Sequence, residues 1–243
     1  MAKNTFKSKF KRYEKKYLIT LEQLNSLKQY FDKYLIADDY ASSTISNLYF
    51  DTENFYMIRS AKDKAEYKEK LRMRSYDKYP NDDSKVFLEI KKKYEKVIYK
   101  RRIATSLRKG NEYLLHRHNV LGNSQIKNEI DWLFQTNKSL KPMMYIYYDR
   151  YSYKGKDNED LRITIDSNIK YRNYDLDIKK GIYGNNIIDD NLVIMEIKVS
   201  GAYPIWLSEA LNKYEMYPRG FSKYGTAYQK LKERGLENAK YVI

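Results

Sequence analysis

Cysteine is absent from the 243 residues, which removes disulfides, thiolate metal sites and cysteine nucleophiles and fits a reducing compartment. Histidine is almost as scarce: His116 and His118 are the two present, and they stand two apart on a segment read as helix, where they do not share a face. They read as surface residues rather than metal ligands. With nine Gly and four Pro there is no Pro/Gly/Ser-rich linker, so the chain reads as a basic tail over residues 1–10 and a single domain over residues 11–243. No apolar run approaches the length of a membrane span, and the opening MAKNTFKSKFKR lacks the apolar stretch of a signal peptide, so a cytoplasmic location is expected. Neither a Walker-type phosphate loop nor a GxGxxG fingerprint occurs.

What the chain does have is positive charge and tyrosine. Forty-seven Lys and Arg against 32 Asp and Glu give a net +15, which implies an anionic partner: nucleic acid, an acidic membrane or a polyphosphorylated small molecule. The 27 Tyr suit strands that meet a core on one side and polar groups on the other. The hydrophobic fraction of 42% is enough for a folded core. Asp38–Asp39, Asp82–Asp83 and Asp189–Asp190 read as solvated acids of polar turns.

The charges fall on strands. Between Tyr67 and Arg102, three segments alternate with a period of two. Arg72, Arg74 and Tyr76 oppose Leu71 and Met73; Phe87, Glu89, Lys91 and Lys93 oppose Val86, Leu88 and Ile90; Ile98, Lys100 and Arg102 oppose Val97, Tyr99 and Arg101. Arg12, Glu14 and Lys16 alternate with Tyr13, Lys15 and Tyr17. Further strands read over Ser43–Asp51, Met143–Lys154, Leu161–Tyr171 and Asn191–Val199, the last placing Glu196 and Lys198 against Val193, Met195 and Ile197. Helices read from a Thr20/Gln23 capping box to Tyr34, over Thr105–His116 and Gln125–Gln135, from Pro204 to Tyr214, and from a Ser222 cap to Arg234. The fold class is therefore α+β. If the helices cover the apolar face of a sheet that curls into an antiparallel β-barrel, the charged face turns inward and requires an anion or interleaved carboxylates. A chain of phosphates fits, because Arg forks bind phosphate oxygens and carboxylates among them suit a divalent metal.

The ordered pieces RYEKKY (Arg12–Tyr17), NLYFD (Asn47–Asp51), LRMR (Leu71–Arg74), FLEIKKK (Phe87–Lys93), YKRR (Tyr99–Arg102), YYDR (Tyr147–Arg150), LRITID (Leu161–Asp166), MEIKV (Met195–Val199) and FSKY (Phe221–Tyr224) resemble the VTC domain, the polyphosphate polymerase branch of the triphosphate tunnel metalloenzymes. The resemblance spans roughly residues 10–232. It implies a β tunnel with helices outside and a C-terminal helix closing one end. It further implies transfer of the terminal phosphoryl of ATP onto growing polyphosphate, with release of ADP and help from a divalent metal, Mn2+ or Mg2+. Carried over by motif, Lys16, Arg72, Arg74, Lys91, Lys100, Arg102, Arg150, Arg162 and Lys198 resemble phosphate-gripping cations. Glu196 resembles the metal carboxylate, with Glu14 and Glu89 as second ligands or as salt-bridge partners of a tunnel Arg. Lys223 and Arg219 resemble the basic residues of the C-terminal helix that closes on the transferring phosphates.

One departure is plain: the superfamily opens with ExExK, and here Arg12-x-Glu14-x-Lys16 replaces a carboxylate by a cation. Fewer metal ligands shift the expectation from two-metal hydrolysis towards binding of a product chain. The expected partners are ATP and polyphosphate rather than nucleic acid, and coupling to a membrane would need a partner protein. A tripolyphosphate or nucleotide hydrolase of the same fold, a non-catalytic sensor and a nucleic-acid-binding module remain alternatives.

Overall fold

A computed structural model of the chain describes residues 12–63, 65–95 and 97–235. The basic tail read over residues 1–10 lies outside them. The elements are β1 (Arg12–Thr20), α1 (Leu21–Tyr34), β2 (Leu35–Asp51), α2 (Tyr56–Lys62), β3 (Tyr67–Ser75), β4 (Lys85–Tyr94), β5 (Val97–Ser106), α3 (Leu107–Leu114), α4 (Gln125–Thr136), β6 (Lys141–Gly155), β7 (Arg162–Arg172), β8 (Asn185–Asn186), β9 (Leu192–Ser200), α5 (Ile205–Lys213) and α6 (Lys223–Glu233). The fold is α+β, with a nine-stranded sheet in the hydrogen-bonded order β1-β9-β7-β6-β2-β3-β4-β5, and β8 beside β7. The pairs β1–β9, β9–β7, β2–β3, β3–β4 and β4–β5 are all antiparallel.

Caps set the helix starts where the side chains dictate. Thr20 Oγ1 accepts from Gln23 N–H, and the Gln23 side chain accepts from Thr20 N–H, the reciprocal pairing expected of a capping box. Ser222 Oγ accepts from Gly225 N–H and fixes the first turn of α6. Two expectations are corrected. β2 begins at Leu35, directly after α1, rather than at Ser43. Asp38 and Asp39 therefore lie on a strand, not in a turn, and are held there by Arg162 at 3.4 Å and Lys154 at 2.7 Å. Likewise α3 ends at Leu114, so His116 and His118 follow the helix instead of riding on it, and His118 Nδ1 lies 2.5 Å from Glu112.

The chain forms two compact units, and the long strands β2, β6 and β7 each contribute to both. Of the described residues, the first unit draws on those up to Ser42, Arg150–Ser167 and Ile188–Phe221. Its core joins Tyr17 and Ile19 of β1, Leu27 and Phe31 of α1, Ile163 and Ile165 of β7, Val193, Met195 and Ile197 of β9, and Leu207 of α5. Of the described residues, the second unit draws on Ser43–Asp149, Asn168–Ile187 and those from Ser222 onward. Its core joins Leu48 and Phe50 of β2, Leu71 and Met73 of β3, Val86, Leu88 and Ile90 of β4, Tyr113 of α3, Ile130 and Leu133 of α4, and Tyr145 and Tyr147 of β6. In both units the period of two sends the apolar residues to the helix side and the charges to the other.

One buried cation has no part in that polar face. Arg172, fully buried at the end of β7, donates to the carbonyls of Asp175, Asp177, Gly181 and Tyr183 at 2.8–3.1 Å, and its guanidinium lies 3.7 Å from the Tyr145 ring centroid. It holds the segment 173–183 in place. Gly184 beside it has φ +148°, and a Cβ there would meet the Tyr171 carbonyl at 2.4 Å. Arg172→Met keeps the length but leaves four partly buried carbonyls without their donor. The expected loss is about 3 kcal/mol or more of stability, with new protease cleavage in 173–183. An unchanged melting temperature would show that the segment holds itself.

Candidate active site

The polar face of the second unit is built on the register of four strands. Arg72 stands opposite Tyr49 on one side and Glu89 on the other; Arg74 stands between Asn47 and Phe87. Glu89 in turn faces Arg102, and Lys91 stands between Lys70 and Lys100. Glu89 is 2% exposed. Its Oε2 accepts from Arg72 Nε at 2.7 Å, with Arg72 Nη2 at 2.6 Å and Arg74 Nε at 3.7 Å. Its Oε1 has the Lys100 ammonium at 3.1 Å but accepts no well-directed hydrogen bond. Arg74 is further held by Asn47 Oδ1 at 2.9 Å, Tyr76 Oη at 3.2 Å and Tyr148 Oη at 3.5 Å. The Arg102 guanidinium lies over the Phe87 ring, 4.6 Å from its centroid.

Three cations thus share one buried carboxylate, and their excess shifts the ionisation of the groups around them. Burial alone would push the Glu89 carboxyl up, yet Arg72, Arg74 and Lys100 hold it down to about 2. Burial lowers the Lys100 ammonium, and Arg72 and Arg74 lower it further against the pull of Glu89. Tyr49 is buried, which alone would raise its phenol; Arg72, Arg74 and Lys70 instead bring it down to about 8. Such a surface stabilises any added negative charge.

α6 packs onto this face. Lys223, its first residue, places Nζ 4.3 Å from the Tyr148 ring centroid. Tyr224 stacks on Tyr49 with centroids 4.6 Å apart and planes 13° from parallel, and its hydroxyl donates to Asp51 Oδ2 at 2.8 Å.

The first unit carries a separate charged face, in cross-strand rows. Glu14, Lys198 and Arg162 form one row; Lys16, Glu196 and Thr164 form the next. Glu196 is 8% exposed. Lys198 Nζ approaches its Oε1 to 2.6 Å and Lys16 Nζ its Oε2 to 3.5 Å, while Lys16 also meets Glu14 at 3.2 Å. Burial would raise the Glu196 carboxyl; Lys198 and then Lys16 hold it at about 2. Arg150 is gripped by Asp166 through Nε at 2.6 Å and Nη2 at 2.8 Å, a two-pronged pair. Arg162 is exposed and meets Asp38. Arg219 N–H donates to the Lys16 carbonyl at 2.7 Å, and its residue lines a 390 Å³ cavity with Glu14, Lys15, Lys16 and Phe221.

The strand pattern put Arg72, Arg74, Glu89 and Lys100 on one surface and Glu196 with Lys198 on another strand face; the pairing of β1 with β9 adds Lys16 to the latter. The pattern put Thr164 and Asp166 on the Arg162 face without naming them as site residues, and it missed Asn47, Tyr49 and Tyr148, which hold the arginines. Alternation within NLYFD was the available signal: it sends Asn47, Tyr49 and Asp51 to one face.

Of the carboxylates expected to hold a metal, Glu89 takes the salt-bridge alternative: Arg72, Arg74 and Lys100 consume its oxygens. Glu14 and Glu196 share two lysines, and among the described residues no group of three or more acidic or histidine side chains gathers. That donor set does not fit a metal held by protein alone. It fits an ion that brings phosphate oxygens and water with it, held by Glu196 and Glu14. Thr164 Oγ1, buried in the Glu196 row with no hydrogen-bond partner, is an oxygen left for such a ligand.

Solved structures carry the same fold. A candidate adenylate cyclase from Bacillus halodurans matches with TM-score 0.53 at 14% identity, over 86% of this chain and 92% of that one. A candidate adenylate cyclase from Vibrio parahaemolyticus matches with TM-score 0.46 at 12% identity, over 91% and 99%. The Mimivirus capping enzyme triphosphatase matches with TM-score 0.37 at 12% identity, over 83% and 88%. At these identities the likeness is one of fold, and the first of the three carries it. A comparison with curated protein sequences finds no match. The antiparallel sheet is the fold shared with the first of these structures. The VTC domain family matches residues 11–232, and the chain belongs to that family.

Proposed function

We propose that this chain is a polyphosphate polymerase that transfers the terminal phosphoryl group of ATP to the end of a polyphosphate chain. The observation that supports this most is the face around Glu89, where three cations surround one carboxylate in a chain of the VTC family. Arg72, Arg74 and Lys100 grip phosphates, and Lys91 and Arg102 extend the row. In the first unit Lys16, Lys198, Arg150, Arg162 and Arg219 supply the cations of its own anion-binding face. Lys223 meets the transferring group from α6.

The step needs no protein nucleophile. The terminal oxygen of the acceptor bonds to the γ-phosphorus, the bond from that phosphorus to the β,γ-bridging oxygen breaks, and ADP leaves with the electron pair. The protein's part is alignment and neutralisation of charge. A divalent ion, held by Glu196 and Glu14 when bound, supplies further charge neutralisation on the phosphate oxygens.

Incubation with ATP and Mn2+ should yield ADP and gel-stainable polyphosphate. ADP with free phosphate alone would replace the polymerase by a hydrolase. Arg72→Ala removes a forked donor from the site and should weaken tripolyphosphate binding about ten- to a hundredfold. Arg150→Ala should cost less, because Asp166 already takes both prongs. Unchanged affinity in both variants would count against a triphosphate site here.

A further inference from the structure

We propose that Tyr224 is a positioning residue that sets Lys223 against the substrate by locking the first turn of α6 to the end of β2. This rests on the proposed function, in which Lys223 meets phosphate. Tyr224 is 2% exposed and is held in two ways at once. Its ring stacks on Tyr49, whose hydroxyl accepts from Arg72 Nη1 at 3.0 Å. Its hydroxyl donates to Asp51 Oδ2, which also accepts from Ile58 N–H at 3.1 Å, while Asp51 Oδ1 accepts from Met57 N–H at 2.8 Å. Asp51 is fully buried.

The same carboxylate therefore caps α2 and anchors α6. The turn it holds is a strained one: Phe55, buried, has φ +57° and packs 5.0 Å from the Tyr228 ring of α6. A bulky residue keeps that backbone only where its surroundings fix it, so the seat of α6 is built with little slack. The neighbouring Lys223 is carried on that seat. Its ammonium reaches Tyr148, the same phenol that Arg74 touches. Tyr49 and Tyr148 thus link α6 to both arginines of β3, and Tyr224 fixes where along that link the helix sits.

The test is a double-mutant cycle on tripolyphosphate affinity and on ATP turnover. Lys223→Ala should weaken tripolyphosphate binding about tenfold. Tyr224→Phe keeps the stack, loses the bond to Asp51, and should weaken it about three- to tenfold. In the Lys223→Ala background Tyr224→Phe should add nothing further. A purely structural Tyr224 would instead contribute its full effect in both backgrounds, and that additivity, or no effect of Tyr224→Phe alone, would overturn the proposal. A wild-type protein that binds tripolyphosphate yet makes no polyphosphate would remove the proposed function and leave the affinity cycle decisive. Absence of tripolyphosphate binding by the wild type would end both.

Discussion

Glu89→Gln should tighten tripolyphosphate binding about tenfold while lowering both stability and turnover. The substitution is nearly isosteric, so the change is one of charge. It leaves Arg72, Arg74 and Lys100 clustered without their carboxylate, at a position 2% exposed. Removing one partner from a buried ionic cluster costs about 3–5 kcal/mol. The depressed ionisation of the Glu89 carboxyl is of the same scale. Its folded value, about 2, lies below its ordinary 4.5, so its contribution is complete above 4.5 and is lost as the pH falls through 2. That difference corresponds to about 3 kcal/mol. The wild type should therefore lose stability on acidification through this window, and the variant's profile should be flatter there. A bound triphosphate would take over the carboxylate's role, so it should raise the melting temperature of the variant more than that of the wild type. Turnover should nonetheless fall, because Glu89 orients the Arg72 fork. If affinity fell together with stability, Glu89 would be an organiser of the cations and not a competitor of the substrate.

The parts of this arrangement that the sequence disclosed are those with a strict local rule. A period of two makes Arg72 and Arg74 share a face regardless of what lies opposite, and it does the same for Glu196 and Lys198. The Thr20/Gln23 box and the Ser222 cap are equally local. What stayed hidden depends on register between strands distant in the chain. That Tyr49 meets Arg72, and that Thr164 meets Glu196, follows only from which residue pairs with which. Tyrosine adds to the difficulty: Tyr145 and Tyr147 serve the core while Tyr49 and Tyr148 touch the arginines, and the residue type fits either role. Asp51 reads as the last residue of the Ser43–Asp51 strand, and nothing local announces that two helices hang on it. Asp38 and Asp39 mislead in the opposite sense. They resemble turn acids, but Arg162 and Lys154 offset their charge and let the strand run on.

Glu196→Gln should lower metal-dependent turnover by about 10²–10³ without unfolding the chain. The carboxyl sits at about 2, so it is an anion throughout the working pH range, and Gln removes that charge at constant shape. The fold should survive because Lys16 keeps Glu14 at 3.2 Å and Asp166 keeps its two-pronged hold on Arg150. The loss must then be traced to the metal and not to the lysines. Removing Glu196 takes away the closer partner of Lys198, at 2.6 Å, and leaves it Glu14 at 4.0 Å, which favours phosphate binding in the absence of metal. The informative quantity is therefore the difference between tripolyphosphate affinity with and without Mn2+. In the wild type Mn2+ should tighten binding, since one or two carboxylates and the phosphate oxygens complete the ion's shell together. In the variant that increment should vanish, while metal-free affinity holds or rises. Glu14→Gln should reduce the increment less, because Glu14 is the more exposed of the two, with 42% of its side chain accessible against 10% for Glu196. Full retention of the Mn2+ increment in Glu196→Gln would take Glu196 out of the metal site and leave it as the counter-ion that spaces Lys16 from Lys198.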